Sequence, residues 1–447
     1  MFPFLSQPPS KPLFQEQAAN VLSRRRFIVG LSASAAAATV LRGALTSARA
    51  SAPPLPNSPV TLNVIDVAGN LRLTQQSIET YRKGHSKLVD KIRFTQAPAP
   101  ELPSKIKAQQ DAGRLDIDSV LTGLDGLAAG IEQDLWLRLM PDYQDKLPDL
   151  ESNYLPAAGK MYELGKGFGI TVTFYPSGPL LEYAPERVKD PPTSTDELLA
   201  WCKKHPGRFM YARPANSGLG RTLLMGLPYL LADSNPLDPV DGWAKTWSYL
   251  KELNSFIEYY PSGTTATMKE FGEGSRDLIA TTTGWDINPR VLGIVPKSAE
   301  ISVLNGFHWV SDAHYMAVPK GITPEKLAVL LDLMAFLLRP EQQAAVYDEG
   351  YFYPGPAVKN VTLSMAPEHS QQAINEYGRP EYNKLIAEHR IETPLDSKSM
   401  VTAFRRWDEE IGAAWIRHGV PKLCAFPAFD RPPQCRVRLE DARNPGK

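Results

Sequence analysis

The stretch HWVSDAHYMAVP, residues 308–319, alternates apolar and polar side chains. That period of two predicts an extended strand. Directly after it, TPEKLAVLLDLMAFLLRP (323–340) has Thr323 in the capping position and Pro324 at the first helical one, which predicts a helix. A second extended segment, YELGKGFGITVTFYP (162–176), is rich in β-branched and aromatic residues. Each segment follows a run of alternating strand and helix patterns, so each is expected to carry the chain from one α/β unit to another.

The first unit begins at Val60. VTLNVIDV (60–67), KIRFTQ (91–96) and IDSVLTG (117–123) read as strands. LRLTQQSIETYRK (71–83), SKIKAQQDAG (104–113) and LDGLAAGIEQ (124–133) read as the helices between and after them. Strand–helix alternation predicts a parallel α/β sheet. A second series follows the first extended segment. TSTDELLAWCKKHP (193–206) opens with a Thr/Ser/Asp cluster ahead of Glu197, a helix start. GRFMYARP (207–214) and DLIATTTGW (277–285) read as strands; SGLGRTLLMGLPYLLA (217–232) and DGWAKTWSYLKELN (241–254) read as helices. The expected division is residues 60–172 as the first part of lobe 1, 173–307 as lobe 2, and 308–418 as the return segment with further lobe 1 helices. Residues 419–447 form a short, Pro-rich, unperiodic tail.

The N-terminus reads as an address. Ser23-Arg-Arg-Arg-Phe-Ile-Val29 precedes the Ala/Ser-rich apolar run 27–41, which ends near Ala48-Arg49-Ala50, a small-residue cleavage pattern. Residues 1–50 are therefore expected to be an export signal. The paired arginines resemble a twin-arginine signal, whose cargo crosses already folded. A membrane anchor is the weaker reading, because the run is shorter than the ~20 apolar residues a span needs. The expected location is the periplasm.

The 447 residues carry 49 bases and 49 acids. Residues 1–50 hold six of the bases and one of the acids, which leaves 43 against 48 and a net charge of −5. Such a chain lacks the basic excess that nucleic-acid binding requires. With 43% hydrophobic residues it has ample material for a large core. Of three cysteines, Cys202 is expected on a helix, half-buried; Cys424 and Cys435 are free to pair in an oxidising compartment.

Catalytic signatures are absent: there is no H-E-x-x-H, G-x-x-x-x-G-K-[ST], C-x-x-C or G-x-S-x-G. Gly165-Lys-Gly-Phe-Gly169 leads into a strand rather than a helix, so it reads as a turn. His308, Asp312 and His314 share one face of an extended segment. They suit either a Zn or Fe site or hydrogen-bonding groups along a cleft. No catalytic residue, cofactor or resident metal is expected.

The order of segments resembles the extracellular solute-binding proteins of bacterial ABC transporters, in the two-lobed type II periplasmic-binding class. The resemblance covers about residues 60–415. It rests on PPTSTDELLAWCKKHPGRFMYARPANSGLGRTLL (191–224), on the run from His308 to Ala357, and on GWDINPR (284–290). It implies a clamp with two crossing segments, capturing a small solute for a membrane permease and its ATPase, and acting as a monomer; an exported enzyme or a sensory binding module on the same scaffold is the alternative, since fold does not fix function.

Ligands of open α/β sheets sit outside the carboxyl ends of strands. The candidate ligand residues are therefore the loops after strands and the crossings. In lobe 1 these are Asp66, Gly69, Asn70, Thr122 and Gly123. In lobe 2, Asn216, Ser217 and Gly218 stand at a helix entrance able to hold an anion, with Arg221 one turn in, a surface or ion-pair residue. Trp285 and Asp286 offer an aromatic face and a counter-charge for an amine, or else a core Trp and a turn cap. On the crossings, Tyr175, Trp309, Asp312 and His314 are candidates, with Tyr353 in GYFYPGP. The resemblance to polyamine binders supports Trp285 as a ligand wall. These groups favour a cationic or zwitterionic solute, while the Ser217–Gly218 entrance also admits an anionic group. Tyr259-Tyr260 is similar to the tyrosine pairs of ferric-binding proteins but lies before the strand end where that family carries it.

Overall fold

The computed structural model describes residues 51–97 and 101–413. Residues 1–50, expected to be an export signal, the Pro-rich tail 419–447 and the expected Cys424–Cys435 pairing lie outside the described residues. Cys202 is a buried free thiol, more enclosed than its sequence context suggests.

Two sheets organise the chain. The first begins with β1 (Val60–Asp66), α1 (Leu71–Gly84), β2 (Val89–Gln96), α2 (Leu102–Asp111), β3 (Ser119–Gly123) and α3 (Leu124–Glu132). β1 pairs parallel with β2 and with β3, as the strand–helix alternation requires. Two helices, α4 (Leu150–Asn153) and α5 (Pro156–Leu164), lead to β4 (Gly169–Gly178). The 162–176 segment is thus helical at its start and extended only from Gly169. The intervening Lys166–Gly167 turn has positive φ at both residues and its Gly167 carbonyl accepts from Leu139 and Met140, so this Gly-rich stretch is a turn.

The second sheet holds β5 (Leu180–Tyr183), β6 (Phe209–Met210), β7 (Leu278–Thr281) and β8 (Glu300–Ser302), in the order β6-β7-β5-β8. Around it lie α6 (Thr195–Lys204), α7 (Gly218–Leu230), α8 (Ala244–Asn254), α9 (Thr264–Gly272) and α10 (Asn288–Val291). The chain returns through β9 (Trp309–Ala317), which pairs antiparallel with both β3 and β4 in the first sheet. Every residue of β4 and β9 is buried. Next come α11 (Pro324–Leu337), α12 (Pro340–Gln343), α13 (Glu368–Tyr377), α14 (Glu381–Glu388), β10 (Ile391–Glu392) and α15 (Ser397–Trp407).

Local chemistry explains the element ends. Ser194 caps α6, accepting the Glu197 amide, while the Glu197 carboxylate accepts the Thr193 amide and hydroxyl. Ser194→Ala is expected to cost about 1 kcal/mol, read as a shift of the urea midpoint at constant slope. α11 packs Leu330, Leu333 and Met334 at full burial against the first sheet's core; each such side chain stabilises by roughly 1.5–3 kcal/mol. Tyr81 of α1 donates to Asp332 of α11 at 2.7 Å, which ties the two helices at their buried face. α13 and α14 pack on second-sheet elements: Ile374 and Tyr382 share a cluster with Leu180, Ile287 and Phe307.

Candidate functional site

A cavity of about 420 Å³ opens beside the carboxyl ends of β1, β3 and β7. Its size fits a small organic ligand. Lobe 1, built on the first sheet, contributes Val67, Ala68, Gly69, Gly123 and Asp125. Lobe 2, built on the second, contributes Asn216, Ser217, Gly218, Arg221, Ser262, Thr264, Thr265 and Trp285. Tyr175 of β4 and His314 of β9 form the floor, and Tyr351 and Phe352 add an aromatic wall.

Two glycines let that wall approach. Gly69 has φ +75, and a Cβ there would stand 2.8 Å from the Tyr351 hydroxyl. Gly284 has φ +92, and a Cβ there would meet the Tyr351 carbonyl at 2.4 Å. Trp285 then lies 5.1 Å from Tyr351 between ring centroids, and Tyr175 stacks on Phe352 at 4.8 Å.

The polar floor is a connected network. Asp312 of β9 forms an ion pair with Arg221 of α7 and accepts the Tyr175 hydroxyl at 2.8 Å. The second guanidinium nitrogen of Arg221 stands 3.5 Å from Asp125 of α3. Burial works against both charges here, but the mutual attraction outweighs it. Asp312 is held below the usual carboxylate range, and Asp312 followed by Asp125 keeps Arg221 firmly charged. The Tyr175 phenol is pushed up, first by burial and then by Asp312. His314 is lowered by burial, against the pull of Asp312, and is therefore neutral near pH 7. Its Nδ1 faces the Asn70 amide at 3.2 Å, and the same amide donates to Thr173 at 2.9 Å. An amide donor at Nδ1 leaves the ring proton on Nε2.

Helix entrances complete the site. On lobe 1, Asp66 accepts from Ala68 and Leu71 and so caps α1, and Asp125 sits in the first turn of α3. On lobe 2, neither α7 nor α9 has a side-chain cap. Instead Ser217 and Thr264, one at each entrance, share a hydroxyl hydrogen bond of 2.6 Å. Asp66 and Asp125 place carboxylates at the two lobe 1 entrances, whereas α7 and α9 have no acid in their first turns and line the cavity with Gly218, Thr264 and Thr265.

Of the sequence candidates, Gly69, Gly123, Tyr175, Asn216, Ser217, Gly218, Trp285 and His314 line the cavity. Asp66, Asn70 and Asp312 stand behind it, holding α1, His314 and Arg221. Thr122 is buried, and its hydroxyl donates to the Gly123 carbonyl. Three expectations need correction. Asp286 is buried away from the cavity, accepting from Arg379 at 2.9 Å and from the Gly284 amide, so it is a turn cap and ion-pair partner. Trp309 packs on Phe307 and donates to the Leu385 carbonyl. Tyr353 stacks on Tyr382, while its neighbours Tyr351 and Phe352 reach the cavity.

The His308–Asp312–His314 metal reading also fails. His308 pairs with Glu392 at 3.2 Å, and Asp312 is committed to Arg221. Among the described residues no cluster of three His, Cys, Asp or Glu side chains is arranged to hold a metal. Tyr260 is enclosed by Tyr211 and Trp407, and Tyr259 lies under Arg276, neither of them lining the cavity.

Asp125, Tyr351, Phe352, Ser262, Thr264 and Thr265 also line the cavity and are not among the sequence candidates. Pro261-Ser-Gly-Thr-Thr265 has the same small-residue helix entrance as Ala215-Asn-Ser-Gly218, a signal that was legible. Asp125 and the Tyr351–Phe352 pair carried none, because their approach depends on how distant segments pack.

Among the described residues no helix is long and apolar enough to cross a membrane. Several solved structures share the fold. The spermidine/putrescine ABC transporter substrate-binding protein PotD of Streptococcus pneumoniae aligns at 16% identity, over 78% of this chain and 99% of that one, with a TM-score of 0.53. The periplasmic binding protein AfuA of Actinobacillus pleuropneumoniae, with exogenous fructose-6-phosphate bound, aligns at 16% identity over 79% and 98%, TM-score 0.55. The apo ferric ion-binding protein A of Pasteurella haemolytica aligns at 14% identity over 78% and 97%, TM-score 0.53. A search of curated proteins finds no match. The profile of the bacterial extracellular solute-binding proteins matches residues 76–374. That is well over half of the chain, and with the two-sheet fold and its central cavity it makes this protein a member of the bacterial extracellular solute-binding family.

Proposed function

We propose that the protein captures a small organic solute bearing a carboxylate or phosphate group and delivers it to an ABC permease and its ATPase, acting as a monomer in the periplasm. The observation that carries the solute class is the pair of uncapped helix entrances, α7 and α9, joined by the Ser217–Thr264 hydrogen bond. Bare N–H groups favour an anion. The Trp285–Tyr351 wall suits the organic body of the solute. Asp286 and Asp312, the acids that favoured an amine, are neutralised by Arg379 and Arg221. Asp125 shares Arg221 with Asp312, which leaves one carboxylate in excess at the cavity, so zwitterions belong to the class. One protein of this fold is named with fructose-6-phosphate bound, a solute with an anionic group. Export through the twin-arginine route is supported by Ser23-Arg-Arg-Arg-Phe-Ile-Val29.

A thermal-shift panel of carboxylates, sugar phosphates and polyamines tests this reading. A true ligand at a hundred times its Kd stabilises by about 2.7 kcal/mol, several degrees in melting temperature. Shifts confined to carboxylates or phosphates are expected; a shift from polyamines alone would sink the anionic assignment. For the ligand so found, Trp285→Ala is expected to weaken binding by about tenfold through loss of the aromatic wall, measured by calorimetry.

A further inference from the structure

α15 touches both lobes, and it does so by different means at its two ends. Its first half seats Met400, Val401 and Phe404 along Pro103 of α2 and Ala128 and Ala129 of α3, lining a groove of about 250 Å³. Among the described residues no hydrogen bond or ion pair ties α15 to α2 or α3.

The second half is wired to lobe 2. Trp407 is buried, donates to the Tyr211 hydroxyl at 3.2 Å and packs edge-on to Tyr260 at 4.8 Å. Arg406 lies over the Trp247 ring and donates to the carbonyls of Pro239 and Val240. Past α15, the wide turn Asp408–Gly412 brings Glu410 to Lys251 at 2.6 Å and Asp408 to Arg213. Gly412 is required in that turn, since a Cβ there would stand 2.9 Å from the Trp407 ring. The exposed ion pairs contribute little by themselves. The buried Trp407 and the Arg406 carbonyl bonds set the attachment.

The groove and the ligand cavity share two wall residues, Asp125 of lobe 1 and Ala215 of lobe 2. α15 therefore stands over one edge of the cavity. Met400 is as buried as Trp407, so both ends bury apolar surface, but only the lobe 2 attachment adds hydrogen bonds that must break for it to part. We propose that α15 is an interlobe strap that travels with lobe 2 and seats on α3 as the cavity closes, so that the strength of its seat sets how readily solute escapes.

The consequence for solute rests on the solute-capture reading, but the strap itself is tested with no solute present. Hydrogen–deuterium exchange of the full chain, followed by mass spectrometry, reads the two ends separately. Phe404→Ser is expected to speed exchange of α3 and of residues 398–404 by about tenfold or more, while 406–411 stay protected. Trp407→Ala is expected to do the reverse, exposing 406–411 and leaving α3 protected. Val401→Glu, at a half-exposed position on the groove, repeats the first test should Phe404→Ser not fold. If Phe404→Ser and Val401→Glu leave α3 exchange unchanged, or free 406–411 first, the strap is overturned. A failed solute panel would leave that outcome untouched.

Discussion

Replacing Arg221 with alanine is expected to lower the unfolding free energy by about 3–5 kcal/mol and to abolish solute binding. The stability loss follows from what stays behind. Asp312 is 2% exposed, and Arg221 is its charge partner. Among the described residues, removing the cation leaves a buried carboxylate supported by the Tyr175 hydroxyl and the Ala313 amide alone. The pair as a whole contributes much less than its disruption costs, because both ions lost their hydration on folding. The double variant Arg221→Met with Asp312→Leu is therefore expected to regain most of the loss without regaining binding. Urea denaturation of the three proteins separates the terms. A single variant no less stable than the double would show that Asp312 does not depend on Arg221.

Glu182→Gln is expected to stabilise the protein increasingly as pH rises. Glu182 lies in β5 with no exposed surface, and among the described residues neither carboxyl oxygen has a well-formed hydrogen bond, the Thr281 hydroxyl being its polar neighbour. Burial, reinforced by the nearby Asp286 charge, pushes its pKa up from 4.5 to about 8, against the pull of Arg379 and Arg290. The folded chain thus keeps a proton that the unfolded chain releases above about pH 4.5. A raised folded pKa means that this contribution is complete below pH 4.5 and is lost as pH climbs through about 8. By pH 7 the loss amounts to about 3 kcal/mol, since each pH unit in that window costs about 1.4 kcal/mol. Parent and variant should therefore have similar stability at pH 4.5, with the variant ahead by several degrees in melting temperature at pH 8. Parallel melting curves across that range would show that Glu182 is ionised in the fold.

Asp286 stands at a strand end yet serves an ion pair and a turn rather than the cavity. Its position after β7, beside Trp285, is where a ligand acid would stand on a generic strand-end rule. Its fate was decided by Arg379, which is 93 residues further along and reaches it through α13 and α14. Tyr353 differs for a related reason: three aromatics crowd one loop, and the close approach of Gly69 and Gly284 admits Tyr351 to the cavity, with Phe352 stacked on Tyr175 beside it. The helix-entrance residues Ser217 and Gly218 were legible because the requirement there is local. A small residue at a helix start exposes N–H groups wherever the helix lies.

The sequence by itself determined the two strand–helix series and the extended segments at 169–178 and 309–317, because strand and helix periodicity is a property of neighbouring residues and is written in their spacing. It also determined the resemblance that the family match then established. Tertiary structure alone decided the charge of each buried carboxyl group. Asp312, Asp286 and Glu182 look alike in sequence, yet one is paired across lobes, one is capped by a distant arginine and one is left protonated. A carboxyl group's charge depends on what surrounds it in space, and burial or a guanidinium from a distant segment sets that environment.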